Sequence, residues 1–382
     1  MSVDRRKFLA LVGGGVVLAA GAVAGQALTR QPKTALAPWS AAGGYDEPRR
    51  RALSWALLAP NPHNRQPWLV NLREAGEVTL YADLDRLLPH TDPPNRQVTI
   101  GLGCFLELMR MAAASDGYRV EIATFPDGED PDGLDARPVA RARFVPDPAI
   151  ADDPLFAFAP QRRTLKEPYD LARPIPPASL ASIAAMAGPL GRFGGSVAPD
   201  EIAFWRSLTS EAFRIEFETP HTFKESVDLF RIGHAEIDAE PDGIDLSGPL
   251  FEGLRATGLF TRERALDPTS MAYRAGIDAV LANAQTGMGY VWLVTEGNTR
   301  ADQLRAGRDW LRINLATTAL GIGFQPMSQA LQEFPEMADL HRQVHARLAP
   351  DGGTVQMLAR IGYGPSVGAS PRWPLEARII DG

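Results

Sequence analysis

The order of hydrophobic patterns along this 382-residue chain predicts an α+β fold, a sandwich of helices around a mixed or antiparallel sheet. Three observations lead there. Strand-like and helix-like segments come in runs (strand pair, helix, strand pair, helices, strand, helix, strand) and not in the strict alternation of a doubly wound parallel sheet. Two segments, 96–115 and 301–320, read as long helices; in the first, Ile100, Cys104, Leu108 and Met111 recur at helical spacing. Hydrophobic residues make up 45% of the chain and charged residues 22%, which supports a packed core and excludes a disordered or fibrous chain.

The elements follow in order. Residues 1–30 read as an export signal: Asp4-Arg5-Arg6-Lys7-Phe8-Leu9, an apolar run rich in Gly and Ala, then Ala22-Val23-Ala24 as a cleavage site. The paired arginines before Phe8 and Leu9 resemble the twin-arginine signal, which implies export of a folded protein to the periplasm or cell envelope. That route suits a chain that takes up a cofactor first. Left uncleaved, the same run would anchor the chain, the only membrane contact expected. Residues 31–47, rich in Pro, Ala, Ser and Gly, read as a linker. A helix over 49–58 stops at Pro60 and Pro62. Residues 68–72 and 78–81 read as strands around Glu74-Ala75-Gly76, and strands follow helix 96–115 near 120–124 and 139–144. Then come helix 177–187 and a mostly helical 199–230. Residues 235–270 are Gly- and Pro-rich with weak periodicity, which predicts a long loop able to serve as a lid. Residues 290–294 read as a buried strand, 301–320 as a helix and 354–361 as the last strand.

The net charge is −7; the four charged residues at 4–7 sum to +2, so the remainder carries −9. An acidic body argues against non-specific nucleic-acid binding but leaves room for a local basic pocket that takes one phosphate. Cys104 is the single cysteine. It excludes an intrachain disulfide and a cysteine zinc site, and within its apolar helix it reads as a small buried hydrophobe. Several motifs are set aside. His341 and His345 share a helical face but lack the glutamate of a zinc helix. Gly364-Pro365-Ser366-Val367-Gly368 matches a nucleophile elbow, yet Pro371 and Pro374 bar the helix it needs and no histidine follows His345. Gly101-Leu102-Gly103 lacks the third glycine of a dinucleotide loop, and Asp152-Asp153 reads as loop. No metal ligand set is assigned.

The most specific stretch is Ala59-Pro60-Asn61-Pro62-His63-Asn64-Arg65-Gln66-Pro67-Trp68. Its prolines stiffen the turn and remove backbone donors. Asn64 and Gln66 then present amides from a fixed loop, and Trp68 opens a strand with a broad apolar wall. This suits the edge of a flat heterocycle or, equally, a rigid helix-to-strand turn with solvent-facing amides.

The stretch resembles the Ser-x-x-Asn-x-Gln-Pro-Trp signature of nitroreductase-like flavoproteins. It is closer still to the Ala-Pro-Ser-x-His-Asn-Thr-Gln-Pro-Trp of their two-repeat, Acg-type subgroup, with Asn61 for serine and Arg65 for threonine; neither change removes the amide pair. Further likenesses come in the family's order. His90-Thr91-Asp92-Pro93-Pro94-Asn95-Arg96 runs into Gly101-Leu102-Gly103-Cys104. Arg162-Arg163-Thr164-Leu165-Lys166 resembles the element that holds the FMN phosphate. Gly321-Ile322-Gly323 follows the long helix, and Ile361-Gly362-Tyr363-Gly364 and Pro371-Arg372-Trp373-Pro374-Leu375 close the chain. The resemblance implies a nitroreductase-like sandwich with one repeat over 48–150 and a second over 151–382, forming a pseudo-dimer with one FMN site between them. It implies cofactor contacts from Asn64, Gln66, Pro67, Trp68, Leu69, Val70, Arg162, Arg163, Gly321, Gly323 and Arg372. The implied activity passes electrons from a reduced donor (NADPH, a quinol or a protein) through FMN to a small acceptor such as a quinone, nitroaromatic or activated alkene. The cofactor carries that chemistry, so no catalytic side chain is assigned. The alternative is an exported flavin-holding protein whose lid covers FMN and permits little turnover.

Overall fold

The computed structural model describes residues 32–380; the export-signal reading falls on residues outside that range. In the first half, helix α1 (Pro48–Ala56) leads into strands β1 (Trp68–Asn71) and β2 (Glu77–Ala82), helix α2 (Arg96–Ser115), then β3 (Tyr118–Thr124) and β4 (Ala140–Pro146). These strands form an antiparallel sheet in the order β1-β2-β4-β3. The second half opens with helix Ala178–Ala187 and β5 (Arg192–Ser196), followed by α3 (Pro199–Glu218) and α4 (Pro220–Asp228). After a small parallel pair, β6 (Phe230–Ile232) and β7 (Ile244–Leu246), come β8 (Gly289–Thr295), α5 (Arg300–Ala319), β9 (Gly323–Pro326) and β10 (Thr354–Gly362). The second antiparallel sheet has the order β5-β8-β10-β9. Counted from its own first strand, each sheet has the same order, and each places a 20-residue helix between its second and third strands.

Local chemistry sets the helix ends. Pro48 stands at the first turn of α1, and the Glu47 carboxylate accepts from the Arg50 N–H at 3.0 Å. Asp92 takes the Gln97 and Val98 N–H groups at the start of α2. Thr299 and Asp302 form a capping box on α5, which ends at Gly321 with φ +66°. The two long helices pack on each other through glycine. A Cβ on Gly103 would lie 2.2 Å from the Leu304 carbonyl, and one on Gly307 2.1 Å from that of Ile100. Each helix also opens on a buried arginine that reaches across. Arg96 donates to the carbonyls of Gln356 and Leu331, and Arg300 to those of Pro94, Asp130 and Pro131. One core cluster therefore runs through both sheets and both long helices. A second lies behind β10, which is buried along nearly its whole length. Cys104 sits in the helix crossing, its thiol against the Gly307 carbonyl and pushed by burial up to about 12. Among the described helices only Arg96–Ser115 is long and apolar enough to cross a membrane, and it is buried in this core.

Three expectations change. Residues 235–270 are not a loop: helices His234–Ala239, Pro249–Ala256 and Arg262–Leu266 lie there with β7. Each is too short for a 3.6-residue period to register. The expected linker is packed, with Ala35 buried and the Trp39 indole donating to the Ser370 carbonyl. β5 went unread because its Gly194-Gly195 centre has little strand propensity; Trp292 occupies the space over Gly194.

Candidate functional site

The connection from α1 to β1, residues 57–67, holds three of the five non-glycine residues with positive φ among the described residues. His63, Asn64 and Gln66 have φ of +47°, +53° and +51°, a left-handed region that costs non-glycine residues roughly 1–2 kcal/mol each. The loop is held by the Gln66 N–H on Asn61 Oδ1 at 2.7 Å and the Trp68 N–H on the Gln66 carbonyl at 2.9 Å. Gly101 lets α2 approach Asn61 and Pro62 closely.

Both amides of this loop are engaged by the protein, so the expectation that they stand ready to receive a ligand edge is not met in this arrangement. Gln66 is fully buried; its Nε2 donates to the Pro241 carbonyl at 2.7 Å and its Oε1 accepts from the Trp373 N–H at 2.9 Å. Asn64 Nδ2 donates to the Pro371 carbonyl at 3.1 Å, and its Oδ1 accepts from Arg372. Trp68 and Val70 point into the core, where the Trp68 ring lies 4.8 Å from that of Phe105, so Trp68 forms no open wall. Pro67 is buried and Leu69 half-buried beside them.

The predicted arginines do come together. Arg162, 4% exposed, donates to Asn314 Oδ1 at 3.2 Å and to the Leu58 carbonyl at 3.1 Å. Arg372, 2% exposed, donates to the carbonyls of Leu57, Leu58, Ala59 and Pro371. Arg163 lies with its guanidinium 4.5 Å from the centre of the Trp39 ring, and Arg372 stands 5.7 Å from the same ring. Among the described residues, none of the three has a carboxylate in ion-pair contact. Burial first, then repulsion from Arg163, lowers Arg162 to about 10; burial, then Arg162, lowers Arg372 to about 9. Both remain cationic at neutral pH. Lys166 and Asp245 lie nearby, and burial raises the Asp245 carboxyl even though Lys166 and Arg372 oppose the shift. Two buried atoms at this cluster, Arg163 Nε and Asn314 Nδ2, lack a partner among the described residues, and both are donors. An anion rich in acceptor oxygens matches them. Two open surface grooves, one along Tyr169, Arg173 and Tyr363 and one along Ile202, Arg206 and Met288, include none of these residues.

The two predicted glycines sit otherwise. Gly321 closes α5, with nothing near where a side chain would be. Gly323 presses β9 against Leu165, Tyr169 and the Gly362 carbonyl, and the Leu165 N–H donates to the Phe324 carbonyl. It thus supports the chain that follows Arg163. Sequence reasoning missed Trp39, Asn314, Asp245 and His63. Lys166 closes the quoted Arg162–Lys166 element and was open to being singled out.

The segment 241–243, within the predicted lid, closes onto the loop. The Gly243 N–H donates to the Asn64 carbonyl, while Asp242 accepts from Arg86, Arg231 and the Trp373 indole. The guanidiniums of Arg86 and Arg378 lie 5.5 and 5.4 Å from the centre of the Trp373 ring.

No family model matches the chain. It is 27% identical over 339 residues to Rv3131 of Mycobacterium tuberculosis, provisionally named an NAD(P)H nitroreductase, covering 87% of this chain and 89% of that protein. A second protein of that organism, Acg, provisionally named in the same way, is 26% identical over 340 residues, covering 86% and 93%. The chain resembles nitroreductase-like proteins along nearly its whole length. The nitroreductase-like similarity is too long to fall within one sheet alone. Among solved structures, the FMN-dependent nitroreductase NfnB from Mycobacterium smegmatis in complex with NADPH overlaps 56% of this chain and 92% of its own. The identity is 18% and the TM-score 0.33, a superposition too loose to add to the sequence similarity.

Proposed function

We propose that this chain is an FMN-dependent oxidoreductase of nitroreductase type. Its two halves act as a pseudo-dimer around one FMN, and electrons pass from a reduced donor to a small acceptor such as a quinone, nitroaromatic or activated alkene. The observation that carries this reading is the cluster of buried Arg162 and Arg372 with half-buried Arg163, which among the described residues has no carboxylate in ion-pair contact and leaves two donors, Arg163 Nε and Asn314 Nδ2, without a partner. These side chains suit the FMN phosphate. The loop from Asn64 to Val70 would lie along the ring, once its amides exchange their present partners. Bound FMN would supply hydride acceptance and release. The protein's share is to hold the phosphate, orient the ring and exclude water. The relatives' names favour a reduced nicotinamide nucleotide as donor, and the leader favours export by the twin-arginine route, where a quinol or protein donor would serve instead.

The test is an absorption spectrum of the purified protein, before and after anaerobic NADPH and then dithionite, with the flavin counted per chain. Flavin bands bleached by NADPH, with one FMN per chain, are expected. Two equivalent sites per chain would sink the pseudo-dimer, and no uptake of added FMN would sink the whole reading. A second reading is favoured by the contacts of Pro241, Asp242 and Gly243 with the loop and tail. Here the lid covers the flavin and turnover is slow. Bands bleached by dithionite but not by NADPH would support it.

A further inference from the structure

A line of buried polar groups reaches the same loop from α3 and α4. His63 Nε2 lies 3.1 Å from Ser226 Oγ, and Ser226 Oγ donates to Glu216 Oε1 at 3.4 Å. Glu216 Oε2 accepts from Gln332 Nε2 at 2.9 Å. Glu216 is 3% exposed and Ser226 5%. The groups that face Glu216 are Gln332 and Gln329 from the chain after β9, and Ser226 and Glu225 from α4. None is a cation. Burial raises the Glu216 carboxyl to about 7, so it exchanges a proton near neutrality. His63 faces Ser226 across the loop, Lys166 from the stretch after the paired arginines, and Arg65 from its own loop. Burial, then these two cations, lowers its imidazole to about 4, so it is neutral and relays without storing charge. Its Nδ1 is shut off from solvent with no hydrogen-bond partner among the described residues, and the backbone that presents it is left-handed.

We propose that Glu216, Ser226 and His63 form a proton relay whose outer end, His63 Nδ1, delivers a proton to the acceptor bound at the Asn64–Gln66 loop. The proposal rests on the flavoenzyme reading above. A quinone that accepts a hydride gains two electrons and one proton, and needs one further proton to become the hydroquinone. In the relay, the Glu216 carboxyl proton passes to Ser226 Oγ as the Ser226 hydroxyl proton passes to His63 Nε2. The proton on His63 Nδ1 then leaves for the quinone oxygen. The imidazole is neutral before and after, with its proton on the other nitrogen. Glu216 is left as a carboxylate that accepts from Ser226, the direction seen here, and regains its proton from solvent. Arrival of hydride from a donor needs no proton, so the relay serves only the second half of the reaction. It also gives a role to the one histidine of the loop, which neither the phosphate cluster nor the amide pair uses.

The test uses the FMN-loaded full chain, reduced with dithionite and mixed anaerobically with 1,4-benzoquinone, with reoxidation followed by flavin absorbance. Glu216→Gln keeps the volume and the acceptor for Ser226 but carries no acid proton, and Ser226→Ala cuts the line in the middle. General acids contribute roughly 10²–10⁴-fold. Both variants should therefore bind FMN as the native chain does but reoxidise at least about 10²-fold more slowly, without the native inflection near neutral pH. An independent readout needs no flavin: the infrared carbonyl band of a protonated buried carboxyl should titrate near neutrality, vanish in Glu216→Gln and persist in Ser226→Ala. Native reoxidation rates and pH profile in Glu216→Gln, with FMN bound, overturn the relay alone. Failure of the native chain to take up FMN overturns the flavoenzyme reading, and the relay's destination with it.

Discussion

Two sets of wholly or partly buried arginines in this protein are balanced in opposite ways. On one side of the helix crossing, Arg110 and Arg312 meet Glu107 and Asp153: Arg312 bonds Glu107 at 3.0 Å and Asp153 at 2.5 Å, and Arg110 bonds Glu107 at 2.8 Å. On the other side, Arg162, Arg163 and Arg372 meet carbonyls, the Asn314 amide and an indole face. Arg110 and Asn314 hold the same place in their helices, each fourteen residues on from the opening arginine. Where the first half has a paired cation, the second has a neutral amide with an unpartnered NH₂. The strands that begin the two sheets differ in the same sense. β1 is reached through a strained connection over 57–67, whereas β5 is reached from helix Ala178–Ala187 through 188–191 alone. Two topologically equivalent places have thus diverged. One is filled by ion pairs and closes the fold, and the other keeps uncompensated charge and strained backbone, which fits a bound anion.

The comparison breaks most clearly at Arg312. Arg312→Leu leaves Glu107 and Asp153 with only the part-exposed Arg110, and breaking a buried pair costs about 3–5 kcal/mol. Chemical denaturation should show that loss, with FMN affinity of the folded fraction unchanged. Next in size is Glu216, the inverse case of a buried acid with no cation. Its folded pKa is raised from 4.5 to about 7. Its contribution to stability is therefore full below about pH 4.5 and is lost as pH rises through about 7, a change of about 3 kcal/mol. Unfolding free energies of the native chain and Glu216→Gln, measured from pH 5 to 9, should diverge with rising pH in favour of the variant; parallel curves would remove the raised acid. Arg162→Met comes third. It deletes a cation that has no carboxylate in ion-pair contact among the described residues, so the flavin-free protein should be as stable as before or more so. FMN should bind roughly 10–100-fold more weakly, about 1.5–3 kcal/mol for a charged hydrogen bond, as read by fluorescence titration. A stability loss equal to that of Arg312→Leu would erase the distinction between the two sets.

The sequence made the skeleton legible because its long elements carry strong signals. Helix 96–115 was predicted with the bounds it has, and β1, β2, β4, β8 and β10 fell within a residue or two. What escaped was short or context-dependent. The lid helices run five to eight residues, and β5 becomes a strand only because Tyr290, Val291 and Trp292 in β8 pair with its glycines and their neighbour. At the site, the arginines were readable from motif order, since charge type and chain position suffice for them. The fate of Gln66 was not readable, because its partners, Pro241 and Trp373, lie 175 and 307 residues away. Nor was His63, whose partner Ser226 belongs to a helix with no motif of its own.

The smallest expected effect bears on whether the lid governs access to this site. Trp373 holds Asp242 through its indole N–H at 3.1 Å while its ring packs near the guanidiniums of Arg86 and Arg378. Trp373→Phe removes the hydrogen bond and keeps most of the stacked surface, so the change isolates one contact of about 1 kcal/mol. If opening of the 234–246 segment limits flavin exchange, that change speeds release of bound FMN about 5-fold, since 1 kcal/mol corresponds to that factor in an equilibrium. Hydrogen exchange in the same segment should quicken by a like amount, while the ion-paired side near Arg312 keeps its protection. Faster hydrogen exchange with unchanged flavin release would mean that the segment opens without uncovering the site. The arginine cluster, not the lid, would then set how long the flavin stays.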